Sequence, residues 1–256
     1  MIGGMEGVRL SEAENLALEA IDREYAEESA STRRRFVGGA AATLGSMGLL
    51  GATGAGTAIA KSANKADPQN ILNIAATAEV LATIVNTVGA EVVPLDDVTR
   101  KNVQAAAVEE FTHYKVLRSL GARPATKKIW VPSAAVASAT DFLSTLVVGD
   151  QVFINAYLIA VDSFGNKGDG KAARFAAQTM GAEAVHRALA LQSLGQLGND
   201  RVFMKYKFTN INHAPVILEE KGFGFGKEGS APGAFFDFDE VKKRVPSVSG
   251  VNTSKP

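Results

Sequence analysis

The sequence predicts an all-α protein, a four-helix bundle followed by an irregular, aromatic C-terminal extension. Three observations lead there. Prolines fence off long windows: Pro68, Pro94, Pro124 and Pro132 are followed by none until Pro215, and proline breaks helix interiors. Apolar residues recur within each window at helical spacing. Two windows also carry the same short pattern, Glu110-Phe-Thr-His113 and Glu183-Ala-Val-His186.

The first helix is read from Ile71, Ile74, Ala75, Ala78, Leu81, Ala82 and Val85, and the second from Val103, Ala106, Ala107, Glu110, His113, Tyr114 and Leu117. The third carries Phe142, Leu146, Gly149, Phe153, Ala156, Tyr157 and Ala160, and the fourth Ala172, Phe175, Ala176, Met180, Ala182, Leu189 and Ala190. A turn at Gly165-Asn166-Lys167-Gly168-Asp169-Gly170 separates the last two. The connection from Ala122 to Pro132 has 11 residues. Fully extended it reaches roughly 36 Å, so its length allows both a crossover along the bundle and a simple up-down turn.

Residues three apart on a helix share a face, so each Glu-x-x-His aims a carboxylate and an imidazole at one point. Two such helices facing each other supply most of a two-metal site in a bundle core. Each window also holds an acid on its apolar stripe: Glu79, Glu110, Asp150 and Glu183. Glu79 lies 15 residues before Pro94 and Glu110 lies 16 after it; Asp150 lies 16 before Asn166 and Glu183 lies 17 after it. At helical rise all four sit about 23–25 Å from their turns, so two antiparallel hairpins place them in one layer.

Taken singly, each residue has a blander reading. Glu183 has Arg187 at i+4 for a surface ion pair. Glu109 and Glu110 are adjacent, so at least one faces solvent. His113 and His186 fit core histidines bonded to backbone carbonyls. Cost decides between the readings: four carboxylates buried without cations are strongly unfavourable, so either metals neutralise them or they do not face inward.

Composition narrows the function classes. The 256-residue chain is 46% hydrophobic and 21% charged with zero formal net charge, ordinary for a globular fold. It has no basic stripe with interleaved aromatics, so nucleic acid is not an expected partner. With no cysteine, thiolate zinc sites, iron–sulfur clusters and cysteine nucleophiles are excluded, and any metal is held by oxygen and nitrogen. Gly222-x-Gly-x-Gly226-Lys227 lacks the Walker spacing and a following Ser or Thr, so it is not a phosphate loop. Tyr114 and Tyr157 neighbour the candidate ligands and are read as core fillers with the hydroxyl directed to a carboxylate. His213 has no partner motif and is read as a surface or tail contact.

The front of the chain reads as an export signal. Thr32-Arg33-Arg34-Arg35-Phe36-Val37 has the twin-arginine order, and precedes an uncharged run from Val37 to Ala60 that holds seven glycines. Such a run suits a removable signal better than a permanent anchor, and Ala58-Ile59-Ala60 has the small-x-small form of a cleavage site. Residues 1–60 are therefore expected to be a leader cleaved after Ala60. The twin-arginine translocase is then the export partner, the destination is periplasmic or extracellular, and no stable membrane insertion remains. The mature chain carries 22 basic and 19 acidic residues, or +3. Residues 61–198 form the expected bundle. Eight of the chain's eighteen aromatics follow Asn199, so residues 199–245 are expected to pack on it, with 246–256 as a disordered tail.

The twin-arginine leader, Asn70-Ile71-Leu72-Asn73, Glu110-x-x-His113, Asp150 upstream of Ala156-Tyr157-Leu158, and Glu183-x-x-His186 together resemble the ferritin-like domain family. They resemble in particular its exported bacterial members and the related plant desiccation-related proteins, over roughly residues 66–240. Gly222–Gly226, Pro232-Gly233 and Phe235-Phe236-Asp237-Phe238 are similar to the bacterial members too. The resemblance implies a ferritin-like bundle holding two Fe or Mn ions. Glu110 and Glu183 would bridge the metals, His113 and His186 would each cap one, and Glu79 and Asp150 would be the outer carboxylates. Oxygen donors plus imidazole with open positions suit Fe or Mn better than structural zinc. Asp150 departs from the family's usual glutamate; it is one methylene shorter, which leaves a half-occupied or single-metal site open as the alternative to two ions. The implied activity is non-haem oxidoreductase chemistry on oxygen or peroxide. The competing function is a non-catalytic envelope or stress-protective protein with weak or no metal binding.

Overall fold

The computed structural model describes residues 67–254; the leader read at 1–60 lies outside them. Four long helices dominate: α1 (Pro68–Val92), α2 (Asp97–Ser119), α3 (Ala139–Asn166) and α4 (Gly170–Ser193). Each begins at a side-chain cap. Asp67 accepts from the Gln69 N–H, Asp96 from Val98 and Thr99, Ser138 from Asp141, and Asp169 from Ala172. Each cap satisfies backbone donors that the helix itself cannot, worth about 1 kcal/mol apiece. Pro68 occupies the first turn, where a missing N–H costs nothing. Pro94 sits in the short α1–α2 connection. The α3–α4 turn closes through Gly168 at φ +75°, a left-handed conformation that suits glycine.

The helices form two hairpins, α1 with α2 and α3 with α4, and α1 packs on α3 while α2 packs on α4. The α2–α3 connection is a crossover. It leaves α2 beside the start of α1, where Arg123 N–H donates to Asn73 Oδ1 (2.7 Å) and Ala125 N–H to Thr77 Oγ1 (2.9 Å). It delivers α3 beside the end of α1, where a Cβ built on Gly89 would lie 2.1 Å from the Phe142 ring. Thus α3 runs antiparallel to α1. A hydrogen bond from Thr99 Oγ1 to Ser193 Oγ (2.9 Å) likewise joins the start of α2 to the end of α4. Of the two topologies that length alone allowed, this is the ferritin-type one.

Strand β1 (Lys128–Pro132) lies within the crossover, followed by a 3-10 turn at Ser133–Val136. It is the centre of a three-stranded antiparallel sheet, flanked by β2 (Gly224–Phe225) and β3 (Gly233–Asp237) of the extension. Ile129 pairs with Phe225 on one side and Phe236 on the other, and Ile129 and Phe225 are buried. The aromatic extension therefore contains regular structure as well as loop: these two strands, α5 (His213–Glu220) and α6 (Phe238–Val241). It is pinned to the bundle by buried polar contacts. Asn155 holds the Phe208 backbone at both ends of its amide, and Asn70 Nδ2 donates to Asn212 Oδ1 at 2.9 Å. Phe238 is buried against Tyr114, with ring centroids 4.6 Å apart. Residues 246–254 form no helix or strand, and Asn252, Thr253 and Ser254 line a cavity with Glu109, His113 and Thr179.

Helices α1 and α3 are long and apolar enough to cross a membrane, yet 83% and 72% of those stretches lie buried inside the fold. That is how the core helices of a globular bundle look. Polar residues in those stretches therefore sit deep in the protein.

Candidate metal centre

Each long helix contributes at mid-length. Glu79 comes from α1, Glu110 and His113 from α2, Asp150 from α3, and Glu183 and His186 from α4. The six residues fall into two groups of four. Glu79, Glu110, His113 and Glu183 form one; Glu110, Asp150, Glu183 and His186 form the other; within each, one ligand atom per residue lies within 4.8 Å of all the others. Glu110 and Glu183 belong to both groups. The common depth read from the turns is thus present in the fold, because both hairpins are antiparallel and the crossover brings their faces together.

The cluster is dry. Glu79, Glu110 and Glu183 are fully buried and Asp150 nearly so. His113 Nδ1 faces Glu110 Oε2 at 3.3 Å, Glu79 Oε2 at 3.6 Å and Glu183 Oε1 at 3.7 Å. His186 Nδ1 faces Glu110 Oε1 at 3.2 Å and Glu183 Oε2 at 3.5 Å. Glu79 Oε2, Glu110 Oε1, Asp150 Oδ2, both Glu183 oxygens and His186 Nδ1 are buried without a hydrogen-bond partner. Buried polar atoms ordinarily have partners, so six converging atoms without one mark a place for something that accepts lone pairs.

Electrostatics point the same way. Burial, reinforced by the charge of Glu110, raises the Glu79 carboxyl well above its usual range and pushes Glu183 up to about 7. Burial raises Asp150 as well, against the charge of His186. For Glu110 the hydrogen bond of His113 and the facing His186 imidazole outweigh burial and hold the carboxyl low. Burial would lower both imidazoles, but the facing carboxylates win and raise them. Without cations, protons must therefore be retained to offset the clustered charge. Two divalent cations with neutral imidazoles would balance four carboxylates, and the histidines would release their protons on binding.

Two residues hold the cluster from outside. Tyr157 on α3 donates its hydroxyl to Glu79 Oε1, the role read for it in the sequence. Tyr114 instead packs on Phe238. Glu109 does not simply face solvent: its Oε2 lies 2.8 Å from His186 Nε2, which directs Nδ1 inward. The sequence signals that residue only by its adjacency to Glu110, since its partner lies on another helix. Arg187 does not form the i+4 surface pair with Glu183. It is buried and forks onto Asp200 with two 2.8 Å bonds, leaving Glu183 to the centre. His213 lies away from the cluster, in α5, near Asn210 and Phe208.

A bundle with one long crossover, with carboxylates from all four helices and Glu-x-x-His pairs from two of them, is the arrangement on which carboxylate metal sites are built. Residues 66–196 match the ferritin-like domain family, and the chain belongs to it. Neither a curated protein nor a solved structure matches the chain.

Proposed function

We propose that this protein is an exported ferritin-like protein that binds an Fe or Mn pair and uses it in redox chemistry on oxygen or peroxide. The observation that carries the reading is the set of six unpartnered buried atoms converging from four helices. Glu110 and Glu183, common to both groups, would bridge the ions. Glu79 with His113 would complete one position, and Asp150 with His186 the other. When bound, the metal pair supplies the electrons and Lewis acidity of the reaction. The protein's own part is to hold the ligands fixed and keep bulk water out. Glu109 sets the His186 ring, and Tyr157 sets Glu79. The twin-arginine pattern at 32–37 supports export, since that route carries folded, cofactor-loaded proteins, and periplasmic or extracellular residence follows from it.

The test is metal content of protein purified from its own host, beside the Glu183→Ala, His186→Ala double variant. About two ions per chain are expected in the wild type, falling to near zero in the variant. Fewer than about 0.2 ions per chain, unchanged by the double substitution, would leave a non-catalytic protective protein as the better reading.

A further inference from the structure

Of the eight large apolar side chains exposed among the described residues, five belong to one strip: Val185, Leu197, Val202, Phe203 and Tyr206. The strip is built by residues 195–207, which cross the outer face of the α3–α4 hairpin. On α4, Gly198 backs so closely onto Ala188 that a Cβ there would lie 2.6 Å from Ala188 O, and Val185 lies one turn earlier on the same side. Asp200 is then bound by Arg187 of α4. On α3, Arg201 donates to Gln151, the Lys207 N–H to Asn155, and the Tyr206 hydroxyl to Leu158 O at 3.0 Å. These bonds hold the segment at both ends and leave Val202 88% and Phe203 72% exposed between them.

Adjacent apolar side chains held out in water are favourably covered. Because the flanking backbone is already fixed, covering them loses little conformational entropy. Charge says what the cover is. The segment carries three bases, Arg201, Lys205 and Lys207, and one acid, Asp200, which is bound by the buried Arg187. The other acid close by is Asp162, whose charge raises the Tyr206 hydroxyl pKa behind the burial of that group. The balance is positive. From Phe175 to Ser193 the ionisable side chains of α4 are Glu183, His186 and Arg187. All three turn into the cluster or onto Asp200, so the outer face of α4 beside the strip carries no charge. Protein interfaces are depleted in lysine. An apolar tip with a tyrosine and lysines close behind it is instead the composition of a surface resting in the boundary of an anionic bilayer.

We infer that this strip docks the protein peripherally on an anionic lipid bilayer. Val202 and Phe203 enter the acyl boundary, Tyr206 lies at headgroup level, and Lys205 faces the lipid phosphates, with Arg201 and Lys207 adding to the positive field. No helix crosses the membrane in this arrangement, and the docking does not depend on the metal centre.

The experiment is co-sedimentation of protein purified from its own host with vesicles of phosphatidylglycerol or of phosphatidylcholine. Binding to the anionic vesicles should be at least about tenfold tighter, and should fall at least about fivefold in roughly 0.5 M salt, where charges are screened. The Val202→Ser, Phe203→Ser double variant should bind at least about tenfold more weakly, and Lys205→Glu at least about fivefold more weakly. Both should keep the circular dichroism and metal content of the wild type, since the altered side chains are exposed. Phe203→Trp places an indole at the tip, and brominated lipid should quench its fluorescence beyond that of Trp130, the chain's one tryptophan. No binding to anionic vesicles, binding that the double serine variant leaves intact, or an unquenched indole would each overturn the inference. So would a wild-type dimer in sedimentation velocity that the double variant makes monomeric, with no vesicle binding; the strip would then be an interface between copies of this chain.

Discussion

The two halves of the cluster share Glu110 and Glu183 but are built differently around them. On the His113 side the outer carboxylate is Glu79, held by Tyr157, and the imidazole borders a cavity of about 170 Å³ with Thr112, Gln178 and Thr179 in its wall. On the His186 side the outer carboxylate is Asp150, whose Oδ2 has no partner. There the imidazole is held by Glu109, and a cavity of about 240 Å³ reaches Asp150 but not the imidazole. One side thus fixes its carboxylate through Tyr157; the other fixes its imidazole through Glu109. Pseudo-symmetric ligands on a bundle do not make equivalent positions, because the elements packed outside the bundle differ on each face.

The sharpest way to break that comparison is to remove a shared residue. Glu110→Ala should abolish both metal positions, lowering affinity at each by at least about a thousandfold, as losing a bridging charge in a dry site does. Glu79→Ala and Asp150→Ala should each remove about one ion of two. Metal analysis after equilibrium dialysis reads all three. Equal loss from every variant would mean a single site instead of two halves.

A second prediction concerns what fixes the His186 side. Arg187 follows His186 on α4 and is buried, with its guanidinium bound by Asp200 of the extension. Asp200→Ala strands that cation and should cost about 2 kcal/mol, measured by denaturant unfolding of metal-free protein. The hydrogen bonds of Arg187 hold the Asp200 carboxyl below its usual range. Its contribution is therefore fully present above the unfolded carboxyl pKa near 4, and is lost as pH falls through the lower folded value. The stability gap between wild type and Asp200→Asn should accordingly be widest near neutrality and close in acid. A gap independent of pH would show that the pair contributes packing alone.

Glu109→Gln should act more gently. It keeps a hydrogen bond to His186 but removes the charge, and outer-sphere changes of this kind typically cost about tenfold or more in metal affinity. The loss should fall on the Asp150–His186 position, seen by competition with a chelator. An equal loss at the His113 position would contradict the independent holding of the two imidazoles.

The parts legible in the sequence were those governed by helix arithmetic. Rise per residue and the turns at Pro94 and Asn166 put four acids at one depth, and i, i+3 spacing put each histidine beside its glutamate. What escaped depends on contacts between distant segments. Arg187 has a plausible local partner at i+4, and only the folded extension shows that Asp200 takes it instead. Glu109 looks like a solvent-facing neighbour until α4 is packed on α2. Strand β1 is five residues inside a connection, and its partners lie in β2 and β3, far along the chain. Its pattern becomes a strand only when those edges arrive, since β preference is largely a matter of packing. The crossover likewise followed from where α3 docks, which length does not determine.

The smallest expected effect concerns the end of the chain. Asn252, Thr253 and Ser254 are exposed yet line the cavity that also contains Glu109, Thr112 and His113. Exposed residues of this kind contribute little to stability, so ending the chain at Gly250 should change it by under about 0.5 kcal/mol. They share the cavity on the His113 side. Removing them should speed extraction of one ion by a chelator about threefold while the other leaves at its original rate, because an exposed segment opens at little free-energy cost and is only a partial barrier. Stopped-flow release from metal-loaded protein distinguishes the cases. Equal acceleration of both ions would mean that the two positions exchange through a common route, and the chain end would then guard neither side in particular.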